Sequence, residues 1–302
     1  MIGYVSPSLL SQYGNSMTKQ ALEHRDREDR LYVERVQSGK GQRVAEALAD
    51  IKWTIRHIPQ AIEIAGQELA SRYARSILGP LWLVIGTITF IGAFSFLGTF
   101  LFKMPWATYL NYLCAGIVYW QFIQTWLIES ASMYPSSQVA LHSTRTPTSY
   151  IPVTLLLRNL LVLAHGLPIV AVVAALTATQ PVLWYMIPFS LLMGLLLLFP
   201  IGALLGFLGT RYRDTVPALS TILGFVVYVS PVWWDDSQVK GLGRLIVDLN
   251  PVYYLLRVLR DPFLGVMSPL PIWLGAIFTA AVLWGLLAVV FVRFRRMIAI
   301  WV

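Results

Sequence analysis

Charge is what this sequence has least of. Only 13% of its 302 residues are Asp, Glu, Lys or Arg and 57% are apolar, against roughly 25% and about 45–50% in soluble domains; mean hydropathy is +0.64. That much apolar surface cannot be withdrawn from water by a chain of this length folding alone, which excludes an ordinary soluble domain. Cysteine is almost missing as well. Cys114 stands alone inside an apolar run, so no disulfide framework or thiolate metal site can form within one chain, and it reads as a small packing residue.

Chemical motifs are absent too. No G-x-x-x-x-G-K-[ST] phosphate loop occurs, and Gly39-Lys40-Gly41 lacks the upstream glycine and the Ser or Thr that would hold magnesium, so the chain is not expected to hydrolyse ATP by itself. There is no H-E-x-x-H, C-x-x-C or G-x-S-x-G, and His24, His57, His142 and His165 are dispersed; no metal site or cofactor is expected in this chain. The basic residues form no continuous stripe, so nucleic acid is not an expected partner. Met1 to Met17 lacks a basic stretch followed by an apolar core, so no cleaved signal peptide is expected and the first span must direct insertion.

What the chain does have is long uncharged runs. Trp82–Phe102 is free of charge for 21 residues, Met104–Ile128 for 25, Asn159–Thr210 for 52 and Thr215–Trp234 for 20. At about 1.5 Å rise per residue, some 20 residues cross a hydrocarbon core of roughly 30 Å. The run of 52 holds two spans broken near Ala178-Thr179-Gln180-Pro181, and Pro262–Val292 supplies the last. Six spans are therefore expected in an all-α membrane protein. Between spans five and six, Leu245, Ile246, Leu249, Tyr253, Leu256 and Leu259 recur at near-helical spacing, predicting short extracytoplasmic re-entrant or interfacial helices. Ser130 to Pro152 reads as a loop with one short helix, because its X-Pro steps disfavour a continuous one.

Charge asymmetry orients the spans. One set of flanks carries Arg72, Arg75, Arg145, Arg211, Arg213, Arg293, Arg295 and Arg296; on the other, most basic residues lie among Asp235, Asp236, Asp248 and Asp261. The positive-inside rule then puts both termini in the cytoplasm. Residues 1–80 hold eleven Lys and Arg against nine Asp and Glu, a nearly neutral polar front. Within it Val44, Leu48, Ile51, Ile55, Ile58, Ile62, Ala65, Leu69 and Tyr73 trace one apolar helical stripe that Pro59 kinks or interrupts. It is either a soluble helix on a partner or one lying in the membrane interface. The expected divisions are a polar extension (1–57), an amphipathic interfacial helix (58–80), a six-span domain (81–292) and a cytoplasmic tail (293–302).

Ionisable groups are nearly missing from the runs. Glu129 and Arg158 fall near span ends, within snorkelling reach of the interface. His165 is the one interior candidate, and a hydrogen-bonded structural histidine is the plainer reading. A transporter with no proton relay and no ATP site needs energy from a partner.

Three motifs carry a resemblance. Glu68 to Trp82 reads ELASRYARSILGPLW; Gly209 to Asp214 reads GTRYRD; and LNPVYY from Leu249 is followed by LRDPFLG from Leu259. In this order and spacing they resemble type 2 ABC exporter permeases, particularly those that export O-antigens and teichoic acids. The first 55 or so residues depart from that family's short N-terminus. The resemblance implies a homodimer, two ATPase subunits carrying ATP and magnesium, and export of an undecaprenyl-diphosphate-linked polysaccharide across a bacterial inner membrane. It also implies that the helix before span one is a gate.

Arg72 and Arg75, three apart, suit a diphosphate headgroup because forked guanidinium donors stay charged; with Tyr73 and Glu68 they are the gate candidates. Both arginines are equally readable as positive-inside anchors, and Glu68 with Arg72 as a helix brace. Phe90, Phe94, Tyr112, Tyr119, Trp126, Phe225 and Tyr228 are candidates to line a channel, since sugar rings stack on aromatic faces; aromatic belts at the interfaces are the alternative. His142, Arg145, Arg211, Arg213 and Asp214 are candidates for coupling to the ATPase. Competing functions are an exporter permease for a drug or non-glycan lipid and, more remotely, a membrane-embedded glycosyltransferase using Asp235-Asp236.

Overall fold

The computed structural model describes residues 40–74, 76–79, 81–143, 146–177, 180–236 and 239–302. Of the expectations above, those on residues 1–39, Arg75 and Arg145 lie outside the described residues. Contacts divide the chain into two units, 1–48 and 49–302. The described part of the first is the opening of helix α1 (Lys40–Arg56).

Every regular element among the described residues is helical. The amphipathic stripe is split: α1 ends at Arg56 and α2 runs Ile58–Arg72 with Pro59 in its first turn, where a missing N–H costs no hydrogen bond. Ala61, Ala65 and Leu69 of α2 are buried, and α2 packs on α6. The larger Ile51, Ile55, Ile58 and Ile62 stay exposed. Two alanines and Leu69 thus meet the bundle while the isoleucines of the stripe stay outside it.

Among the described residues, four helices are long and apolar enough to cross a membrane: Val84–Phe102, Tyr150–Thr177, Trp184–Arg211 and Leu270–Trp301. They belong to α3 (Leu81–Phe102), α6 (Tyr150–Thr177), α7 (Ile187–Arg211, after a 3-10 turn at Trp184–Met186) and α11 (Leu270–Trp301). The other two expected spans differ for opposite reasons. Helix α4 (Trp106–Ser136) is 31 residues long, about 46 Å, but its Tyr, Trp, Asn and Gln side chains lower its hydropathy. It can carry them because it is the hub, packed against α3, α6, α7, α8 (Thr215–Val229) and α10 (Pro251–Arg260). Helix α8 is apolar but has 15 residues, about 22 Å.

The run Thr215–Trp234 shortens to α8 because Pro231 cannot extend a helical hydrogen-bond ladder. The carbonyls this frees are met by side chains. Tyr112 Oη lies 3.0 Å from Pro231 O and 2.7 Å from Trp234 O as donor, Tyr109 Oη donates to Trp233 O at 2.9 Å, and Arg260 Nη1 donates to Pro231 O at 2.6 Å. The expected interfacial helices are α9 (Leu242–Leu249) and α10, parted at Asn250, whose side chain accepts from Val252 N at 3.0 Å and caps α10.

Two boundaries move. The loop expected over 130–152 is shorter, since α4 runs to Ser136, a short α5 occupies Gln138–Ser143 and α6 already starts at Tyr150; Pro152 is tolerated in that first turn. Helix α11 continues unbroken through 293–301, where Arg295 donates to Asp50.

Close packing of α7 on α4 lies within the chain and rests on glycine. A Cβ on Gly209 would sit 1.8 Å from Ala131 O, one on Gly206 would sit 2.1 Å from Met133 Cε, and one on Gly202 would sit 2.4 Å from the Trp126 ring. The small-residue face therefore lets two backbones meet, with Trp126 Nε1 donating to Leu198 O at 2.8 Å across the contact.

Candidate functional site

Glu68 and Arg72 share one face of α2, yet they do not brace each other. Each reaches across to a helix of the bundle. Arg72 Nη2 donates to Glu129 Oε1 at 3.0 Å, Arg158 Nη2 donates to Glu129 Oε2 at 2.9 Å, and Arg158 Nη1 donates to Glu68 Oε2 at 2.6 Å. Asn159 Nδ2 adds a donor to Glu129 Oε2 at 2.9 Å. The result is an alternating chain, Arg72–Glu129–Arg158–Glu68, tying α2 to the end of α4 and the start of α6.

Burial grades this chain from outside inward. The side chains of Arg72 and Glu68 are 46% and 43% exposed, those of Glu129 and Arg158 only 21% and 16%. Arg158 Nε is buried and makes no hydrogen bond. These residues wall a cleft of ≈ 550 Å³ with Ser132, Ser136, Tyr150 and Thr154. Two guanidinium groups and two carboxylates leave it formally neutral. An arriving anion would find forked donors already aimed, and would compete with the solvent-facing Glu68 for Arg158 and with Glu129 for Arg72.

Of the gate candidates, Tyr73 is the half-buried C-cap of α2, and Arg75 lies outside the described residues. Glu129, Arg158 and Asn159 are what sequence reasoning missed at this site. The available signal was that Glu129 and Arg158 are charges at adjoining ends of neighbouring apolar runs. His165, by contrast, behaves as a structural histidine: its Nδ1 donates to Leu161 O at 2.7 Å.

The aromatic candidates separate into two groups. Tyr112, Tyr119 and Trp126 are buried along α4, Trp126 completely at 0% exposure. Phe90 and Phe94 of α3 stack with centroids 4.5 Å apart and meet Trp233 at 5.4 and 4.7 Å; Trp233 stacks in turn on Tyr228 of α8 at 6.0 Å. Phe225, one turn before Tyr228, is exposed like it, each at 69%. A ladder of rings thus joins α3 to α8, with Trp233 as the rung between them.

The coupling candidates His142, Arg211, Arg213 and Asp214 are exposed. All four lie at the end of the bundle that holds the Arg72–Glu68 chain, on α5 and on the turn between α7 and α8. Arg145 lies outside the described residues.

No protein-family model matches the chain. Curated relatives do. Over 206 residues it is 21% identical to the O-antigen export system permease protein RfbA of Klebsiella pneumoniae, covering 68% of this chain and 80% of the relative. Over 199 residues it is 22% identical to the O-antigen export system permease protein RfbA of Myxococcus xanthus, covering 65% and 76%. A further Klebsiella pneumoniae protein of the same description matches at 20% over 210 residues, covering 68% and 81%.

Proposed function

We propose that this chain, a homologue of the O-antigen export permeases and with them a type 2 ABC exporter permease, forms the channel of a complex that moves a lipid-linked polysaccharide to the outer face of the inner membrane. The observation that carries this reading is the extent of the likeness: each relative is matched over about three quarters or more of its own length. The chain is a permease subunit, not an enzyme, and ATP hydrolysis belongs to a separate ATPase subunit.

In this reading the bundle contributes six crossings. The four long apolar helices are joined by α4, shielded in their midst, and by α8, whose 15 residues reach across with the chain that follows. Both termini are cytoplasmic. Two copies pair, because α3 and α8 leave most of their apolar surface exposed in one copy and such surface needs lipid or another copy against it. Each copy receives one ATPase at the end carrying α5, Arg211, Arg213 and Asp214.

Helix α2 is the gate. The anionic diphosphate of an undecaprenyl-type carrier enters the cleft beneath it and exchanges with Glu68 and Glu129 for the guanidinium groups of Arg72 and Arg158. Sugar rings then pass along the aromatic ladder. Stacking on successive faces favours sliding, since no one contact dominates.

Reconstitution of the chain with its ATPase in lipid nanodiscs tests this. ATP hydrolysis should rise when undecaprenyl-diphosphate-linked glycan is added and should not respond to a drug-like amphiphile or phospholipid. The opposite response would assign the complex to the export of another amphiphile.

A further inference from the structure

The connection between α8 and α11 holds the densest charge in the apolar part of the chain, and the headgroup gate uses none of it. Asp236 Oδ2 accepts from Arg244 Nη1 at 2.9 Å and from Tyr253 Oη at 2.7 Å. Asp261 Oδ2 accepts from Arg257 Nε at 3.1 Å and from Ser268 Oγ at 2.7 Å. Arg260, 1% exposed, lies with its guanidinium carbon 3.9 Å from the centroid of the Tyr112 ring. Of these groups, Asp236, Arg257, Arg260, Asp261 and Tyr112 border a cleft of ≈ 270 Å³, at the opposite end of the bundle from the Arg72–Glu68 chain.

Two residues in its wall carry unsatisfied atoms. Asn111, 4% exposed, uses its amide NH₂ on Phe263 O at 3.5 Å, and its Oδ1 has no donor. Arg260 Nε has no acceptor. Buried polar atoms are nearly always paired in folded proteins, so a wall residue with an orphan acceptor and another with an orphan donor bear on what the cleft takes. An anion would answer Arg260 alone and meet Asp235, Asp236 and Asp261. A cation would answer Asn111 alone and meet Arg257 and Arg260. A hydroxyl donates and accepts at once, and neighbouring hydroxyls on a ring can serve both atoms. Thr108, Thr177 and Gln180 add neutral hydrogen-bonding groups to the same wall.

We propose that this cleft is a sugar-binding site, a subsite that holds one ring of the glycan at the far end of the bundle from the gate. Its ≈ 270 Å³ falls just below the roughly 300–1,000 Å³ of drug-sized sites, which suits a single ring. The export reading supplies only the source of that sugar; recognition follows from the cleft itself.

The test uses the complete permease–ATPase complex in nanodiscs and saturation-transfer difference NMR. The probes are the methyl glycosides of mannose, galactose, N-acetylglucosamine and rhamnose. At least one should receive saturation, and Asn111→Leu should weaken its binding roughly tenfold, the effect of one lost hydrogen bond. Thr108→Val, isosteric and half-buried, should weaken it without disturbing the fold. No transfer to any probe, or equal transfer in both variants, would overturn the site, as would displacement of the sugar by inorganic phosphate. Stimulation of ATP hydrolysis by lipid-linked glycan, measured on the same samples, separates the two ideas. Stimulation without sugar transfer sinks the subsite and keeps the export reading, whereas variant-sensitive transfer without stimulation does the reverse.

Discussion

Arg158, near the start of α6, donates to Glu68 of the amphipathic helix at 2.6 Å, bridging 90 residues of sequence. With its other arm on Glu129, it is the hinge-pin of the α2 cleft. Arg158→Ala would leave two carboxylates facing each other across it. Because the group is only 16% exposed, the loss should exceed that of a surface pair and reach about 1–3 kcal/mol. Pairing Arg158→Glu with Glu68→Arg should recover part of it. Thermal unfolding of all four species in a double-mutant cycle measures the coupling, and additive effects would deny the link.

Arg72 lies further out and shares only Glu129. Arg72→Ala should therefore leave unfolding nearly unchanged, within about 0.5–1 kcal/mol, while glycan-stimulated ATP hydrolysis falls by roughly tenfold or more. Unaltered stimulation would make Arg72 an ordinary membrane anchor.

The contact of α7 on α4 predicts sharp discrimination between glycines. Gly209→Ala would place a methyl carbon 1.8 Å from a backbone oxygen that cannot rotate away, whereas Gly92 of α3 has nothing within 4 Å of an added Cβ. The first substitution should cost about 1–3 kcal/mol or more and lower the yield of monodisperse protein. Gly92→Ala should fold as well as the parent, by size-exclusion profile and melting temperature.

Aromatic substitutions should divide in the same manner. Trp126→Ala removes a fully buried ring and a hydrogen bond to α7, at a cost of about 3–5 kcal/mol. Tyr228→Ala removes an exposed ring; stability should hold while surface polysaccharide decreases. Equal melting temperatures with equal export would remove Tyr228 from the path.

Acid should loosen the segment between α8 and α10. Burial raises the pKa of the Asp236 carboxyl, but hydrogen bonds from Tyr253 and Arg244 and the charges of Arg257 and Arg260 outweigh it, so the carboxyl stays below its ordinary range. A carboxylate depressed on folding stabilises fully above its unfolded pKa and loses that contribution as pH falls through the lowered value. Asp261 runs the other way: burial prevails over Arg260 and Arg257 and lifts its pKa, so its protonation relieves a strain that ionisation imposes. Fluorescence of Trp233 and Trp234 should stay level from neutral pH down to about pH 4 and change below it. Asp236→Asn should abolish that low-pH step.

The local parts of this architecture were legible because they depend on contiguous stretches of chain. Pro59 had to end one helix and open another, Asn250-Pro251 had to cap α10, and the stretches free of charge marked the long helices, since desolvating a backbone or a charge is a cost each segment meets by itself. What the sequence left undecided involved faces meeting at a distance. Pro231 cut the fifth apolar run short only because Tyr109, Tyr112 and Arg260 were there to bond the freed carbonyls. Tyr112 and Trp126 looked like Phe225 and Tyr228 in sequence, yet the first two are interior. A hydropathy value records how apolar a residue is and not which neighbour covers it. Glu68 and Arg72, four apart, could have satisfied each other. Tertiary structure decided that they bond instead to Arg158 and Glu129, because docking α2 on α6 brought buried charges that needed partners within reach of both.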